Sequence, residues 1–505
     1  MPAKFYVTTP IYYVNAPPHI GHSYTTIAAD TLARFMRRRI GKENVWFLTG
    51  TDEHWQKIQR AADEAGLPAQ EFVDRIVPQF QELWNKLGLS YDDFIRTTQE
   101  RHIRCVRRAL GILKEKGDIY EAPYQGLYCT PCETFCPQAQ TGALVCPDCH
   151  RPLEKISETN FFFRLSHYQQ WLIEYIEQNP GFILPQIRRN EVLSFLKLNA
   201  LADLCISRPK ERLSWGIGLP FSAGHVTYVW LDALINYISA VGEFDSSGAY
   251  QSRWWGQDTA VLHLIGKDIL RQHAVYWPVI LRALGIKFPG QFTVFAHGWW
   301  MVQDAKMSKS RGNVVAPLTM ADKYGIDAYR YFLLRDVPFG MDGNFSEEAM
   351  VKRFNADLAN DLGNLLYRTL TMLEKYYAGK VPSGGELDAL GSKINQAAAC
   401  LAQEAGQFLE RSGGFNFSAA LERIWLLINA ANKYVEERKP WELAKGGRPE
   451  ELKGFIRLLA EVNRKVDEEV APFMPRTAEG MLAQIGGDAI KKASPLFPRI
   501  ERSEP

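Results

Sequence analysis

Two imidazoles three residues apart, His19 and His22, follow Pro17-Pro18 where an apolar, strand-like run gives way to a helical one. Backbone N–H groups at the start of a helix are unsatisfied and favour anions. Imidazoles added there could stabilise charge on a phosphoryl group in transit. Gly21 between them removes a side chain that would keep a nucleotide at a distance. Taken alone, His19-Ile20-Gly21-His22 reads equally well as a helix start capped by histidine. Far along the chain, Lys306 and Lys309 stand in Lys306-Met307-Ser308-Lys309-Ser310, just before Arg311-Gly312-Asn313. Two lysines so close on a polar loop can reach one polyphosphate, each as a flexible point charge. Alone, they make an ordinary basic loop. The third cluster is Cys129-x-x-Cys132 and Cys146-x-x-Cys149, with thirteen residues between the pairs. That spacing fits one tetrahedral zinc held by four thiolates. With no open position the zinc would be structural. Cys136 and His150 lie nearby and are left out of the set.

These groups need elements to hold them. Residues 4–9 read as a strand and 10–18 as a proline-marked loop. A helix follows, because Tyr24, Ile27, Ala28, Thr31, Leu32, Phe35 and Met36 recur at three-and-four spacing, and Gly41 closes it. The run Arg37-Arg38-Arg39 reads as the solvated end of that helix, where cations suit the helix dipole. Residues 44–48 form a second strand ended by Gly50. Strand, loop, helix, strand opens an α/β parallel sheet of Rossmann type. The rhythm breaks over about 120–220, which holds the cysteines and Phe161-Phe162-Phe163. It resumes with a strand at 260–265, a helix from near Asp268 and a strand at 292–296. From Met350 onward Phe354, Leu358, Leu362, Leu365, Leu366, Thr369 and Leu373 share one helical face, and later segments behave alike, giving an all-α helical bundle. The expected domains are a Rossmann catalytic first half (1–117), a connective insertion with the zinc knuckle (118–222), the second catalytic half with the lysine loop (223–320), a short module (321–352) and the helical domain (353–505).

The chain of 505 residues is too long for one core. It has 46% hydrophobic and 23% charged residues, the balance of a soluble globular protein. Nothing approaches the roughly 20 apolar residues of a membrane span, and the first residues lack the order of a signal or transit peptide, so a cytoplasmic protein is expected. A net charge of +2 is no fingerprint of a nucleic-acid binder. Any nucleic acid must therefore meet positive charge concentrated locally.

Together, His-x-Gly-His after the first strand and Lys-Met-Ser-Lys-Ser after a late one resemble the class I aminoacyl-tRNA synthetases. Within that family the methionine-specific branch is the most similar. The resemblance rests on residues 9–15 (Thr-Pro-Ile-Tyr-Tyr-Val-Asn), 49–54 (Thr-Gly-Thr-Asp-Glu-His), 228–234 (Tyr-Val-Trp-Leu-Asp-Ala-Leu) and 265–269 (Ile-Gly-Lys-Asp-Ile), and it runs over nearly the whole chain. It implies that methionine is activated by ATP with Mg2+ to methionyl-adenylate, then moved to the 3′ adenosine of tRNA(Met), releasing pyrophosphate and AMP. His19, His22, Lys306 and Lys309 would be catalytic. Gly21, Gly266, Lys267, Asp268 and His297 would meet ATP, although Asp268 could equally cap its helix. Ile11, Tyr13, Asp52, Trp230, Ala233, Leu234, Tyr237, His273 and Trp277 would line the methionine site, an apolar, aromatic, sulfur-friendly cavity with Asp52 holding the ammonium. Family members usually carry glycine after Asp-Glu-His. Here Trp55 stands there, so its indole must point away or reshape the rim. Asn364, Arg368 and Trp441 would read the anticodon by hydrogen bonding and stacking. Residues 324–331 resemble the module that contacts the tRNA stem. The resemblance also implies one structural zinc in the insertion and a monomer.

Rival readings are weaker. Branched-chain synthetases carry a large editing domain, because one methylene gives only about 10–200-fold discrimination; the insertion here is largely occupied by the cysteine region. A cysteine-specific enzyme should bring zinc ligands to its amino-acid pocket. A non-catalytic tRNA-binding paralogue would not need both the histidine and lysine pairs. A small nucleotidyltransferase would not need the helical half.

Overall fold

The computed structural model describes residues 2–14, 17–129, 134–136, 145–146, 151–302, 305–306, 315–487 and 489–501; at 134–136, 156 and 305–306 only the backbone is described. Two compact units emerge. One comprises Met1–Pro18, Ile40–Asn85 and Ser90–Ala296, the other His19–Arg39, Lys86–Leu89 and His297–Pro505.

The first unit is built on a six-stranded sheet in the order Asp93–Arg96, Val45–Asp52, Lys4–Tyr13, Thr259–Gly266, Gln291–His297, Ile183–Leu184. The first strand pairs in parallel with Val45–Asp52 on one side and with Thr259–Gly266 on the other. Its neighbours are buried almost end to end, as strands covered on both faces are. The first strand runs past the proline where a loop is expected, continuing to Tyr13. Pro10 has no N–H for the ladder, so the register with Val45–Asp52 slips between Thr8 and Ile11 instead of ending there. Gly50 is required by close approach: a Cβ would lie 2.0 Å from the Ile95 carbonyl oxygen. From the first strand the chain moves outward through two strands on one side; it then crosses to the other, adding Ile183–Leu184 at the far edge before Thr259–Gly266 beside the first strand. That reversal is the switch point at which open α/β sheets collect ligands, beyond the carboxyl ends of the strands.

The segment around 120–220 departs from the α/β rhythm as expected. Strands Ile119–Cys129 and Glu154–Phe163 pair antiparallel over their length, with Leu204–Cys205 on the outer edge. Phe161 and Phe163 are buried, the alternation of a half-buried strand. Cys129 and Cys146 are both fully buried and share a small cluster with Leu127 and Leu153. Cys132 and Cys149 lie outside the described residues.

In the second unit, helix Ile20–Ile40 is followed far along the chain by a small sheet, Trp300–Val302 between Ala305–Lys306 and Gly343–Asn344, and then by helices. One helical run passes from Glu347–Arg353 through a π-helical stretch, Phe354–Gly363, into Asn364–Tyr377. The seven residues expected on its apolar face are all buried. The arginine run at the end of Ile20–Ile40 is less solvated than expected. Arg38 binds the Glu468 carbonyl and the Glu469 carboxylate, the latter at 3.1 Å, and Arg39 donates to the Ala402 carbonyl at 2.7 Å. Among the described residues no helix is long and apolar enough to cross a membrane.

Candidate active site

At the carboxyl ends of the central strands the first unit holds a cavity with about 320 Å³ of empty space, part of it open to solvent. Ile11 and Tyr13 reach it from the first strand, Asp52 from the second. Helix Val229–Ser239 contributes Trp230, Ala233, Leu234 and Tyr237, and His273 comes from the π-helical turn Gln272–Tyr276. Pro10, Asn236 and Ile269 also line it. Pro10 and Ile269 were legible only as members of the runs around them; Asn236 lies outside those runs, and no chemistry singled it out. Trp277 does not line the cavity. It is fully buried and packs against Tyr237, ring centroids 5.7 Å apart.

Hydrogen bonds fix the tautomers of the wall. The Trp277 indole N–H donates to His263 Nε2 at 3.1 Å, so the His263 proton sits on Nδ1 and goes to Thr8 Oγ1 at 2.8 Å. His273 Nδ1–H donates to the Ile269 carbonyl at 2.9 Å, leaving Nε2 to accept from the Tyr237 hydroxyl at 2.7 Å. Burial drives the His273 imidazole down to about 4 and holds His263 well below its ordinary range, with His273 adding to the effect. Both rings are neutral at physiological pH, which keeps the wall suited to an uncharged thioether. Asp52 is buried at the end of its strand, a carboxylate aligned with the cavity rather than with bulk water.

The residues after Asp52 are tied down. Glu53 receives Arg96 through two hydrogen bonds of 2.7 and 2.8 Å, and Thr51 and Thr98 donate to it as well. His54 Nδ1 meets Asp232 at 2.9 Å, and His102 Nε2 meets the other Asp232 oxygen at 2.7 Å. Burial alone would raise the Asp232 carboxyl; the imidazoles, His54 foremost, more than offset this and hold it below its ordinary range. This buried His–Asp–His bridge ties the helix bearing Trp230, Ala233, Leu234 and Tyr237 to the strand end bearing Asp52. Trp55 packs against Tyr13 with the rings tilted by 36° and their centroids 3.8 Å apart, and Lys57 lies over its ring, so the indole buttresses a lining residue and does not itself line the cavity.

The second unit presents the histidines. His19 is the residue before helix Ile20–Ile40, and its Nδ1 accepts the Gly21 N–H at 3.1 Å. His22 Nδ1 reaches back to accept the His19 N–H at 3.1 Å. This is a capping box made of two imidazoles, so the capped-helix reading describes the geometry. It also does more. Each Nδ1 accepts from a backbone N–H, so each ring carries its proton on Nε2, and the rings stack with centroids 3.9 Å apart. A Cβ on Gly21 would lie 2.9 Å from His19 Cε1, so glycine is what lets the ring fold over the helix start. Burial and then His19 hold His22 well below the usual imidazole range. The site offers two Nε2–H donors at a helix N-terminus.

Described residues on either side of the lysine segment touch the same helix. The Val315 carbonyl, just after the segment, accepts the Ile20 N–H at 3.2 Å. Before the segment, Lys306 pairs by its backbone with Met301, in the strand whose Trp300 packs edge-on against Tyr24. The Lys306 side chain and all of Lys309 lie outside the described residues. His297 is buried against this helix. Its Nδ1 donates to the Gly298 carbonyl at 2.7 Å, and its Nε2 meets the Thr25 hydroxyl at 2.7 Å, so both ring nitrogens are committed to positioning. In the first unit Gly266, Lys267 and Asp268 form the turn after strand Thr259–Gly266, with Asp268 exposed. Gly266 precedes the short helix there, and Asp268 lies within its single turn. In the helical region Trp441 is 44% exposed in the first turn of Pro440–Lys445. Arg368 lies 3.6 Å from Glu436, five residues before Trp441, and Asn364 opens the helix that carries Arg368.

A family model described as tRNA synthetases class I (M) matches residues 5–156 and 151–370. That match, with a switch-point cavity and a histidine-started helix, defines a class I aminoacyl-tRNA synthetase. A methionine–tRNA ligase of Caldanaerobacter subterraneus subsp. tengcongensis is 46% identical over 99% of this chain and 80% of its own length, and one of Fusobacterium nucleatum is 43% identical over the same shares. Among solved structures, Mycobacterium tuberculosis methionyl-tRNA synthetase in complex with methionyl-adenylate superposes with a TM-score of 0.90 at 38% identity, covering 98% of this chain and 100% of that one. The chain belongs to the methionine–tRNA ligase family.

Proposed function

We propose that the chain activates methionine with ATP and charges tRNA(Met). The observation that carries the reading is the helix Ile20–Ile40: two imidazole Nε2–H donors stand at its N-terminus, and Trp300 and Val315, on either side of the lysine segment, touch it. In the first step the methionine carboxylate attacks the α-phosphorus of ATP and pyrophosphate leaves. His19 and His22 stabilise the pentacoordinate phosphorus, and Lys306 and Lys309 hold the departing pyrophosphate. In the second, the 3′ adenosine hydroxyl attacks the acyl carbon and AMP leaves. No covalent enzyme intermediate forms; catalysis is positioning and electrostatics. Magnesium enters with ATP and neutralises phosphate charge.

In this reading Asp52 holds the substrate ammonium, and Ile11, Tyr13, Trp230, Ala233, Leu234, Tyr237 and His273 surround the thioether, with Trp277 behind them. Gly21, Gly266, Lys267 and Asp268 meet the nucleotide, and His297 acts through the histidine helix. The two C-x-x-C pairs hold one structural zinc. One thiol of each pair, Cys129 and Cys146, is buried in one cluster, which fits four-thiolate ligation. We assign 118–222 as the connective insertion, 321–352 as the stem-contact module and 353–505 as the anticodon-binding domain, in a cytoplasmic monomer.

Amino-acid-dependent ATP–pyrophosphate exchange tests the reading. Methionine should support exchange at least tenfold faster than leucine or cysteine, the scale on which shape alone discriminates. Equal rates would overturn the methionine assignment. The exposed Trp441 supplies a second check. Stacking on an unpaired base is worth about 1–3 kcal/mol, so Trp441→Ala should raise the KM for tRNA roughly 5- to 150-fold and leave exchange unchanged. Parallel loss of both would make Trp441 a structural residue.

A further inference from the structure

A second cavity takes no part in the chemistry above. It opens beyond the C-terminal end of helix Val229–Ser239, holds about 1420 Å³ of space that includes open solvent, and shares no lining residue with the methionine cavity. One wall is a face of helix Glu100–Glu115 carrying Arg101, Arg104 and Arg108; the other is the hairpin of strands Gly242–Phe244 and Tyr250–Ser252, followed by Arg253. Positions 101, 104 and 108 repeat at three-and-four spacing, so the guanidiniums rise from successive turns on one side, with Cβ atoms about 5–6 Å apart.

The four arginines are not equivalent. Arg101 is structural: both terminal nitrogens bind Asp93, at 2.8 and 2.9 Å. Arg253 gives one N–H to the Glu43 carbonyl at 3.0 Å and keeps its other donors. Arg104 and Arg108 have no hydrogen bond or ion pair among the described residues, although both line the groove. Glu243 is the one carboxylate in the lining. With Asp93 cancelling Arg101, the groove keeps an excess of two positive charges, as much as the whole chain of 505 residues. The floor adds no negative charge, because burial, with Glu243 assisting, pushes the Cys105 thiol up to about 12. A surface selected only for solubility would intersperse carboxylates among these arginines.

We infer that this groove is a second, non-catalytic anion site that takes a small polyphosphate, gripped by Arg104 and Arg108 from one wall and Arg253 from the other. Guanidinium forks match phosphoryl oxygens in bidentate geometry, and two walls of donors suit a ligand with more than one phosphoryl group. Phe244 and Ser252 on the hairpin side would adjoin any group attached to the phosphates. The inference does not depend on which amino acid the enzyme activates.

The test is calorimetric titration of the full chain with inorganic tripolyphosphate while a non-hydrolysable methionyl-adenylate analogue fills the catalytic site. Saturable binding of one equivalent is expected, weakened at least tenfold in the Arg104→Ala/Arg108→Ala double variant. It should be unchanged in Arg107→Ala, which removes an exposed arginine of the same helix that does not line the groove. Methionine-dependent exchange should stay at the parent level in all three proteins, which shows that the fold survives. An ATP arm identifies the source: tighter binding than tripolyphosphate points to a nucleoside polyphosphate, weaker binding to an inorganic one. Absence of saturable binding, equal binding by the double variant, or an equal loss in Arg107→Ala would overturn the site. Tenfold tighter binding of a short RNA through the same arginines would replace it with a nucleic-acid surface.

Discussion

His22→Ala lowers the rate of methionine-dependent pyrophosphate exchange by about 100- to 1000-fold, the loss that follows removal of one preorganised donor to a developing charge. The argument begins with the tautomer. A backbone N–H can only donate, so the 3.1 Å contact from the His19 N–H to His22 Nδ1 leaves the ring proton on Nε2. That proton is the one available to a phosphoryl oxygen. Burial and the neighbouring His19 depress the His22 pKa, so the ring stays neutral as pH falls through the ordinary imidazole range near 6.5. The acid limb of the exchange profile, so far as His22 sets it, should therefore lie below that range. The same side chain closes the capping box, and its loss should also cost about 1 kcal/mol of helix-start stability. His22→Gln separates the two roles. Glutamine is a natural residue at this place in a capping box and restores the backward acceptor, yet it carries its donor in a different position. Stability should return while most of the rate does not. An alanine variant within threefold of the parent rate would reduce His22 to a helix cap.

The contrast between these histidines and the rest of the site shows what local sequence can carry. His19, Gly21 and His22 act through a helix start, and a helix start is written in consecutive residues. The cavity beyond the central strands is legible for a related reason: most of its lining residues sit at a strand end or on a short helix, inside or beside a run of residues that a resemblance can match as a unit. Pairings at long range are not written this way. Nothing near Asp232 announces that it will bind His54 and His102, which stand 178 and 130 residues away, and a buried aspartate in an apolar helix is at first sight an anomaly. His297 was expected at the nucleotide because it ends a strand; its commitment to Thr25 depends on a contact across 272 residues. Trp277 was expected in the cavity from the resemblance, but it is fully buried and packs against the lining residue Tyr237 instead. Pro10 misled in the other direction, because a proline ends most strands and here only shifts the register. The arginines at 101, 104 and 108 show helical spacing, but that spacing does not reveal which of them Asp93 neutralises.

Asp30→Ala should cost about 3–5 kcal/mol, the penalty for leaving a buried charge without its partner. Asp30 and Arg330 are both fully buried, and Arg330 places one terminal nitrogen 2.7 Å from Asp30 Oδ2. Arg330 also donates from Nε to the Phe473 carbonyl at 2.8 Å and from Nη2, the nitrogen that meets Asp30, to the Pro472 carbonyl at 3.2 Å. One guanidinium thus joins the histidine helix, helix Ile326–Arg335 and the turn after helix Pro449–Val470. Arg34 shares the same Asp30 oxygen at 2.8 Å but keeps access to water, so its charge can be solvated when the carboxylate is removed. Arg330 has no such recourse, and its charge dominates the penalty. A 505-residue chain need not unfold in one step, so the measurement is the thermal transition of the helical unit, followed through Trp425 and Trp441 fluorescence in a background where other tryptophans are silent. At about 2–4 °C per kcal/mol for a unit of this size, the midpoint should fall by roughly 6–20 °C. Well-packed apolar residues often replace a buried ion pair at little cost, so Asp30→Leu/Arg330→Met should recover much of the loss. If the bridge also sets the angle at which His19 and His22 are offered, that repacked variant should regain its midpoint yet exchange pyrophosphate more slowly than the parent. A midpoint within 2 °C of the parent for Asp30→Ala would mean that water or a neighbouring group already solvates Arg330, and the helix would then owe its position to the Ser23–Tyr329 hydroxyl contact at 2.7 Å and to apolar packing.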